Sequence, residues 1–292
     1  MSEAPRKRRR SWRRYALALI LLLSGAAYLT LTNRQHLLPL IAEQDLIRFE
    51  RWQRYTYASF GWQWPGTPDF SALDQRLSNA GVSLGAPVLV RVFKREFELE
   101  VWLKKGNRFE RFETYPICKW SGRLGPKIRQ GDRQAPEGFY TVDSKQLNPN
   151  SRWYRSFNLG FPNTHDRAHR RTGSFIMVHG GCSSIGCYAM TNDAMGEIWK
   201  IVTAALGGSQ KRFQVQVYPF RLTDANLASR SDEPHAEFWQ SLKPGHDLFE
   251  ETGLPPKVSV CNKRYAFEPG TAGVFDGPQI ETRCPARTAK VN

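Results

Sequence analysis

The sequence predicts an α+β protein: a β-rich core with flanking helices, preceded by a single N-terminal transmembrane helix. Three observations lead there. Apolar and polar residues alternate with period two from about residue 85 to 117. Segments 36–60 and 189–206 instead repeat apolar residues at helical spacing. Residues 15–32, "YALALILLLSGAAYLTLT", carry no charge at all. With 292 residues, 40% of them hydrophobic, the chain is long enough to bury a core.

The elements follow in order. Residues 1–14 are a basic tail with seven Arg/Lys and one Glu. As a helix, the uncharged segment after it would span roughly 27 Å, close to the hydrocarbon thickness of a bilayer. Arginine on its leading side points to an anchor that leaves the remainder exported. Ser24-Gly25-Ala26 offers small residues for cleavage as a signal peptide, but the apolar run continues past it, which favours an uncleaved anchor. Residues 33–84 form a juxtamembrane helical stem. Leu40, Ile41, Leu46, Ile47, Phe49, Trp52 and Tyr55 mark its long helix, "GWQWPGTPDF" breaks it, and "SALDQRLSNAG" is a second short helix ending near Gly81.

From residue 85 to 222 the sequence reads as one β-rich domain. Val88, Val90 and Val92 share one strand face, and Phe97, Leu99, Val101 and Leu103 another, with a hairpin turn at "KKGNR". "GPKIRQGDRQAPEGFYTVDS" is a long glycine-containing loop that runs into a strand at 139–142. Residues 146–173 are too long for an idle loop and read as a functional crossing segment. "SFIMVHG" is a short buried strand. The helix after it has Ala194, Ile198, Ile201, Val202 and Leu206 on one face and a cap at Thr191 or Asn192. "RFQVQVYPFRL" is another strand. Residues 223–292 are a C-terminal extension with a helix around 234–253 and an irregular tail from Pro255.

The formal charge is +15, of which the basic tail supplies +6, leaving a basic remainder. Such a surface suits a polyanion. Zinc-finger spacing, aromatic-interleaved basic strands and a continuous basic helix are all missing beyond the tail, so nucleic acid is not an expected partner. Export makes the odd cysteine count informative: of Cys118, Cys182, Cys187, Cys261 and Cys284, at least one stays unpaired in an oxidising space. A Cys261–Cys284 bridge would hold the tail, and Cys118 and Cys182 form a second pair or remain small buried residues.

The densest chemistry lies in "FIMVHGGCSSIGCYAM", residues 175–190. A zinc site from His179, Cys182 and Cys187 lacks a paired second half, and His165 and His169 in "HDRAH" follow Pro162 and Asn163, which suggest a loop. No metal or other cofactor is expected. A phosphate loop would want a lysine and a terminal Ser/Thr. A nucleophile with its base fits better: a strand ends at His179-Gly180, a glycine turn follows, and Cys187 stands on the N-terminal side of a helix, where its thiol pKa would fall. Gly186 would allow close backbone approach, N–H groups around Gly186 and Cys187 would face a developing oxyanion, and His179 would be the general base.

"HGGCSSIGC" resembles the His-Gly…Ser-x-Gly-Cys signature of YkuD-type L,D-transpeptidases, cysteine acyltransferases of bacterial peptidoglycan. Together with "YPICKWSGRLGPKIRQGDRQAPEGFY", "NPNSRWYRSFNLGFPN" and "VYPFRL", it resembles the YafK-like branch over roughly residues 85–222. The resemblance implies a YkuD-like catalytic core with Cys187 as nucleophile, His179 as base and the Gly180 carbonyl orienting the imidazole. Ser184 falls at the signature's Ser/Thr position, where it either takes part in the chemistry or shapes the turn. Tyr140, Arg221 and Tyr188 are candidates for holding substrate carboxylates or the peptide. The implied partners are peptidoglycan stem peptides, attacked at meso-diaminopimelate, and a peptidoglycan-linked lipoprotein that a hydrolytic amidase of this branch would release. The implied location is the periplasm, with an inner-membrane anchor. Two departures stand out. Ile185 replaces a second histidine, and Tyr188-Ala189 replaces an apolar-Arg pair, which removes a donor and a cation from the signature. A rival reading is a non-catalytic, basic wall-binding module in which Cys187 is tied up in a disulfide with Cys182 or Cys118.

Overall fold

The structure is a computed structural model that describes residues 12, 15–22, 24, 42–273, 276–277 and 279–284. The chain divides into two compact units, with the boundary between Glu50 and Arg51. Of the expected membrane segment, residues 15–22 and 24 are helical and the others lie outside the described residues. No helix among the described residues is long and apolar enough to cross a membrane.

Among the described residues, six further α-helices, two short 3-10 helices and thirteen strands follow. The α-helices are α1 (Glu43–Ser59), α2 (Leu73–Ala80), α3 (Thr164–Ala168), α4 (Asn192–Gly207), α5 (Asp224–Ala228) and α6 (Ala236–Thr252). The strands are β1 (Val88–Phe93), β2 (Glu98–Lys105), β3 (Arg108–Pro116), β4 (Lys119–Trp120), β5 (Gly138–Asp143), β6 (Leu147–Asn148), β7 (Ser156–Asn158), β8 (Met177–His179), β9 (Tyr188–Ala189), β10 (Arg212–Tyr218), β11 (Lys257–Cys261), β12 (Arg264–Glu268) and β13 (Glu281–Thr282). The fold is mixed α+β and rich in sheet.

The first sheet runs β3-β2-β1-β10-β5, with β1 and β10 parallel and the other neighbours antiparallel. The alternation around Val88, Val90 and Val92 produces β1, yet the strand is buried along its whole length because it is central and covered on both faces. The "KKGNR" turn joins β2 to β3. A second sheet, β4-β9-β8-β7-β6, is built from strands of two or three residues and carries the "HGGCSSIGC" stretch. α4 starts with the Thr191 hydroxyl accepting the Ala194 N–H, and α2 ends with Gly81 in the left-handed region.

The tail differs from its expected irregularity. Residues 257–268 form a hairpin, β11–β12, to which β13 adds in parallel, and Cys261 is bonded to Cys284. The hairpin was hidden by the Pro/Gly content around it. This C-terminal region shares one core with the first sheet: Phe139, Tyr218, Trp239, Leu242, Val260 and Tyr265 pack in the same cluster. Helix α6 comes so close that a Cβ at Gly245 would lie 2.3 Å from Phe267 and 2.7 Å from Phe139, which explains a glycine in mid-helix.

At the end of β1, Lys94 is fully buried and paired with the fully buried Glu137 at 2.7 Å. Its ammonium also donates to the carbonyls of Arg123, Gly125 and Ala135, while Glu137 accepts the Gly125 N–H and the Trp239 indole N–H. Removing one partner strands a charge away from water. Glu137→Ala is therefore expected to lower unfolding stability by about 3–5 kcal/mol, read as a shift in denaturant midpoint, and Lys94→Met/Glu137→Leu to recover most of the loss.

Candidate active site

β8 and β9 are parallel neighbours, with Val178 opposite Tyr188 and His179 opposite Ala189. Val178 and Tyr188 are fully buried and face the core. Successive strand residues point to opposite faces, so His179 and Cys187 turn to the other side together. Cys187 immediately precedes β9, which sets it beside Met177, whose N–H approaches Sγ at 3.4 Å. The Phe175 carbonyl lies 3.7 Å from the same sulfur and accepts its S–H.

His179 is held by its own chain: Nδ1 lies 2.6 Å from the Gly180 carbonyl oxygen. A carbonyl only accepts, so Nδ1 carries the proton and Nε2 is left as the basic nitrogen. Trp153 stacks on the imidazole, with centroids 6.2 Å apart and planes 25° from parallel. The chain is so close at Gly180 that a Cβ there would lie 2.7 Å from Asn192 Oδ1 and 3.0 Å from the Tyr154 carbonyl oxygen. Gly186 has φ +122°, which only glycine adopts readily, and it gives the turn before the thiol its shape.

Ser184 serves that turn. Its hydroxyl donates to the Cys187 carbonyl at 2.6 Å, accepts the Gly186 N–H at 3.3 Å and lies 3.2 Å from the Ser121 hydroxyl. The Gly186 N–H is thus directed at the Ser184 hydroxyl. Cys182 is bonded to Cys118, and Cys187 is the free cysteine.

The position of the thiol departs from expectation. Residues 188–191 form a strand and a cap before α4 begins at Asn192, so Cys187 is not at a helix N-terminus. Burial pushes its thiol up from the ordinary value of 9.0; the Met177 N–H and the charge of Lys127 act against that. Burial also pushes His179 down from 6.5, and the Gly180 carbonyl opposes it. Both shifts favour the uncharged forms, so the pair rests as thiol and neutral imidazole.

The three candidate substrate residues are engaged elsewhere. Tyr140 is 1% exposed, and its hydroxyl is shared between the Glu137 carbonyl and Asp166. Tyr188 is fully buried and donates to the Pro136 carbonyl at 2.6 Å. Arg221 pairs with Glu98 and Glu100 and lies 3.7 Å over the Phe93 ring. Tyr140 and Tyr188 are thus held inside the fold, while the half-buried Arg221 is tied to two carboxylates. Around the pair, Trp153 stacks on the imidazole, the Tyr154 carbonyl accepts the Gly180 N–H and the Phe175 carbonyl meets the sulfur, with the Phe175 side chain 76% exposed. The run "RWYR" inside the crossing segment was the available signal for the aromatic pair.

His165 and His169 sit on and just after the short helix α3, which Asn163 caps where a loop was expected. His165 stacks on Tyr265, with centroids 4.1 Å apart, and burial, Arg171 and His169 drive its pKa down to about 3. Among the described residues no group of three or more His, Cys, Asp or Glu is placed to hold a metal ion.

Residues 87–217 match the model of the YkuD family, the L,D-transpeptidase catalytic domain. The chain belongs to that family. It is 47% identical over 207 residues to "Putative L,D-transpeptidase YafK" of Escherichia coli K12, an alignment covering 71% of this chain and 84% of the relative, with the same figures for the O157:H7 protein. Among solved structures it is similar to the helical cell shape determining protein Pgp2 of Campylobacter jejuni, with TM-score 0.38, 20% identity and coverage of 62% and 67% of the two chains. Bd1075 of Bdellovibrio bacteriovorus gives TM-score 0.34 at 17% identity, covering 57% of each.

The opposed shifts set the direction of the pH dependence. His179 is expected to titrate below 6.5 by NMR, keeping its basic form into mildly acid solution. Alkylation of Cys187 by iodoacetamide is expected to inflect above 9.0 in rate against pH.

Proposed function

We propose that this chain is a thiol-dependent acyltransferase that cleaves an amide of a peptidoglycan stem peptide at meso-diaminopimelate. The observation that carries the reading is the free Cys187 thiol on the same sheet face as an imidazole whose Nδ1 proton is fixed on the Gly180 carbonyl. The family assignment supplies the reaction type.

Nε2 of His179 takes the Sγ proton as sulfur attacks the carbonyl carbon. The C–S bond forms, and the C–N bond breaks as the leaving amine receives that proton from Nε2. The thioester is then opened by an acceptor whose proton passes to Nε2 and on to the departing sulfur. General-base catalysis suits the neutral resting pair, because no preformed thiolate is needed. Trp153 limits the directions from which a substrate reaches the imidazole.

Water is the favoured acceptor, which makes the enzyme an amidase, with release of a covalently attached lipoprotein as one outcome. The supporting observation is the exposed Ile185, where the family signature has a histidine, together with the fully buried Ala189 in place of an arginine. Both changes remove groups that would seat an amine acceptor. The wall-binding alternative required Cys187 in a disulfide with Cys182 or Cys118, and those two are bonded to each other. Two disulfides suit an oxidising compartment, and with the uncharged segment 15–32 they support a periplasmic site of action behind an N-terminal membrane anchor.

Incubating the full-length protein in detergent with muropeptides and with lipoprotein-linked muropeptides, followed by mass analysis, tests both steps. Products one water heavier are expected, with an acyl adduct on Cys187 during turnover. Cys187→Ala is expected to lose turnover by on the order of 10³-fold or more. Retained turnover in that variant would sink the proposal, and cross-linked products would replace amidase by transpeptidase.

A further inference from the structure

The loop between β4 and β5, residues 121–137, touches the thiol's surroundings on three sides. At its start, Ser121 meets Ser184. At its end, the Pro136 carbonyl accepts the Tyr188 hydroxyl, and the Gln134 carbonyl oxygen lies 3.5 Å from where a Gly186 Cβ would be. At its tip, the Ile128 carbonyl accepts the Thr172 N–H and the Gln130 N–H donates to the Thr172 hydroxyl. Thr172 begins the run through Gly173, Phe175 and Met177 that cradles Sγ.

Within this tip lies Lys127, 3% exposed. Its stem packs so tightly on Gly173 that a Cβ there would come within 2.8 Å of Cε. Its ammonium donates to Asp132 at 2.5 Å and to the Arg129 carbonyl at 3.0 Å. Asp132 in turn accepts the N–H groups of Ile128, Arg129 and Gln134. A carboxylate with four donors fixes the tip, and the tip fixes where the ammonium sits.

We infer that Lys127 is a positioning residue for the reaction: a buried cation, held by Asp132, that stabilises negative charge on Cys187 sulfur as the thiol gives up its proton. Its stem packs on Gly173, in the same run whose Phe175 carbonyl and Met177 N–H meet the sulfur, and between buried groups a charge acts through little water and is felt strongly. The direction of its effect on the thiol agrees. His179 on β8 is neutral at rest, the Tyr188 hydroxyl on β9 is buried and bonded to Pro136, and Asp132 partly offsets Lys127. The turn 181–186 carries no ionisable side chain besides the disulfide-bonded Cys182.

The inference rests on Cys187 being the reactive thiol but not on the identity of the substrate, so its test reads the thiol alone. Iodoacetamide alkylation of Cys187 is followed against pH in the full chain, with adducts mapped by mass. Lys127→Met is expected to move the inflection up by about one pH unit, roughly a 10-fold loss of rate below it. Lys127→Arg should stay near the parent. Asp132→Asn should move the inflection down, because it removes the counter-charge while leaving an acceptor. Opposite shifts are the signature of charge, since loosening the loop would move both variants the same way. An unmoved Lys127→Met profile, or shifts of one sign in both variants, overturns the inference. If Lys127→Met does not fold, the sign of the Asp132→Asn shift decides. A parent protein that is not alkylated at Cys187 would instead strike the functional proposal.

Discussion

Everything near the thiol depends on a buried ion pair that does no chemistry. Lys94 and Glu137 are fully buried at the junction of β1, the 121–137 loop and α6. Isolated, each charge would cost several kcal/mol to bury. The cost is offset because nearly every polar atom of the pair has a partner: Lys94 has three carbonyls besides the carboxylate, and Glu137 has a backbone N–H and an indole N–H as well. Four of those partners belong to residues 123, 125 and 135, and Glu137 itself ends the loop. The pair therefore clasps the loop's two ends together, and the loop's shape follows from where its ends are pinned. Tyr188 and Ser184 are then placed by Pro136 and Ser121.

That arrangement separates two tasks that the sequence presents as one. The proposed general-base chemistry suits a sulfur and an imidazole that are uncharged at rest, and burial favours this by penalising both charged forms. The same burial would make the thiolate costly during attack. The site resolves this with groups that act on the sulfur without titrating it outright: the Met177 N–H and the Lys127 charge. The imidazole needs no carboxylate partner, since a backbone carbonyl is enough to fix the tautomer. A carboxylate there would have raised the imidazole's pKa and favoured an ion pair at rest.

How legible was this in the sequence? Long periodic elements were readable, because alternation and helical spacing are consequences of having one or two buried faces. β1, β2, β3, β10 and α4 all fall where the pattern predicts. The second sheet was not readable, because strands as short as Lys119–Trp120 or Tyr188–Ala189 hold too few residues to show a period. That blindness moved Cys187 onto a helix terminus it does not occupy. The "HGGCSSIGC" spacing identified the thiol and imidazole as a pair worth examining, whereas Tyr140, Tyr188 and Arg221 looked equally suited to substrate and to the core. Only burial and partners separate those roles, and neither is written in one residue's identity. Lys127 was invisible for the opposite reason: one lysine in a basic chain carries no signal until it is found enclosed.

The cysteines show how pairing rather than count protects the site. In a motif holding two cysteines five residues apart, the hazard is a local bridge that consumes the proposed nucleophile. Cys182 avoids it by reaching back to Cys118, 64 residues earlier, beside β4. Cys118 also donates its N–H to the Ala189 carbonyl, and the Cys182 N–H donates to the Met190 carbonyl, so the bridge spans backbone that is already hydrogen-bonded across β9. The disulfide thus removes the competing thiol and fastens the turn between His179 and Cys187 from its outer side. A chain that folds where disulfides form needs such a device if it is to keep one thiol free. The odd cysteine is the consequence of that constraint: four are committed to structure so that the fifth stays available.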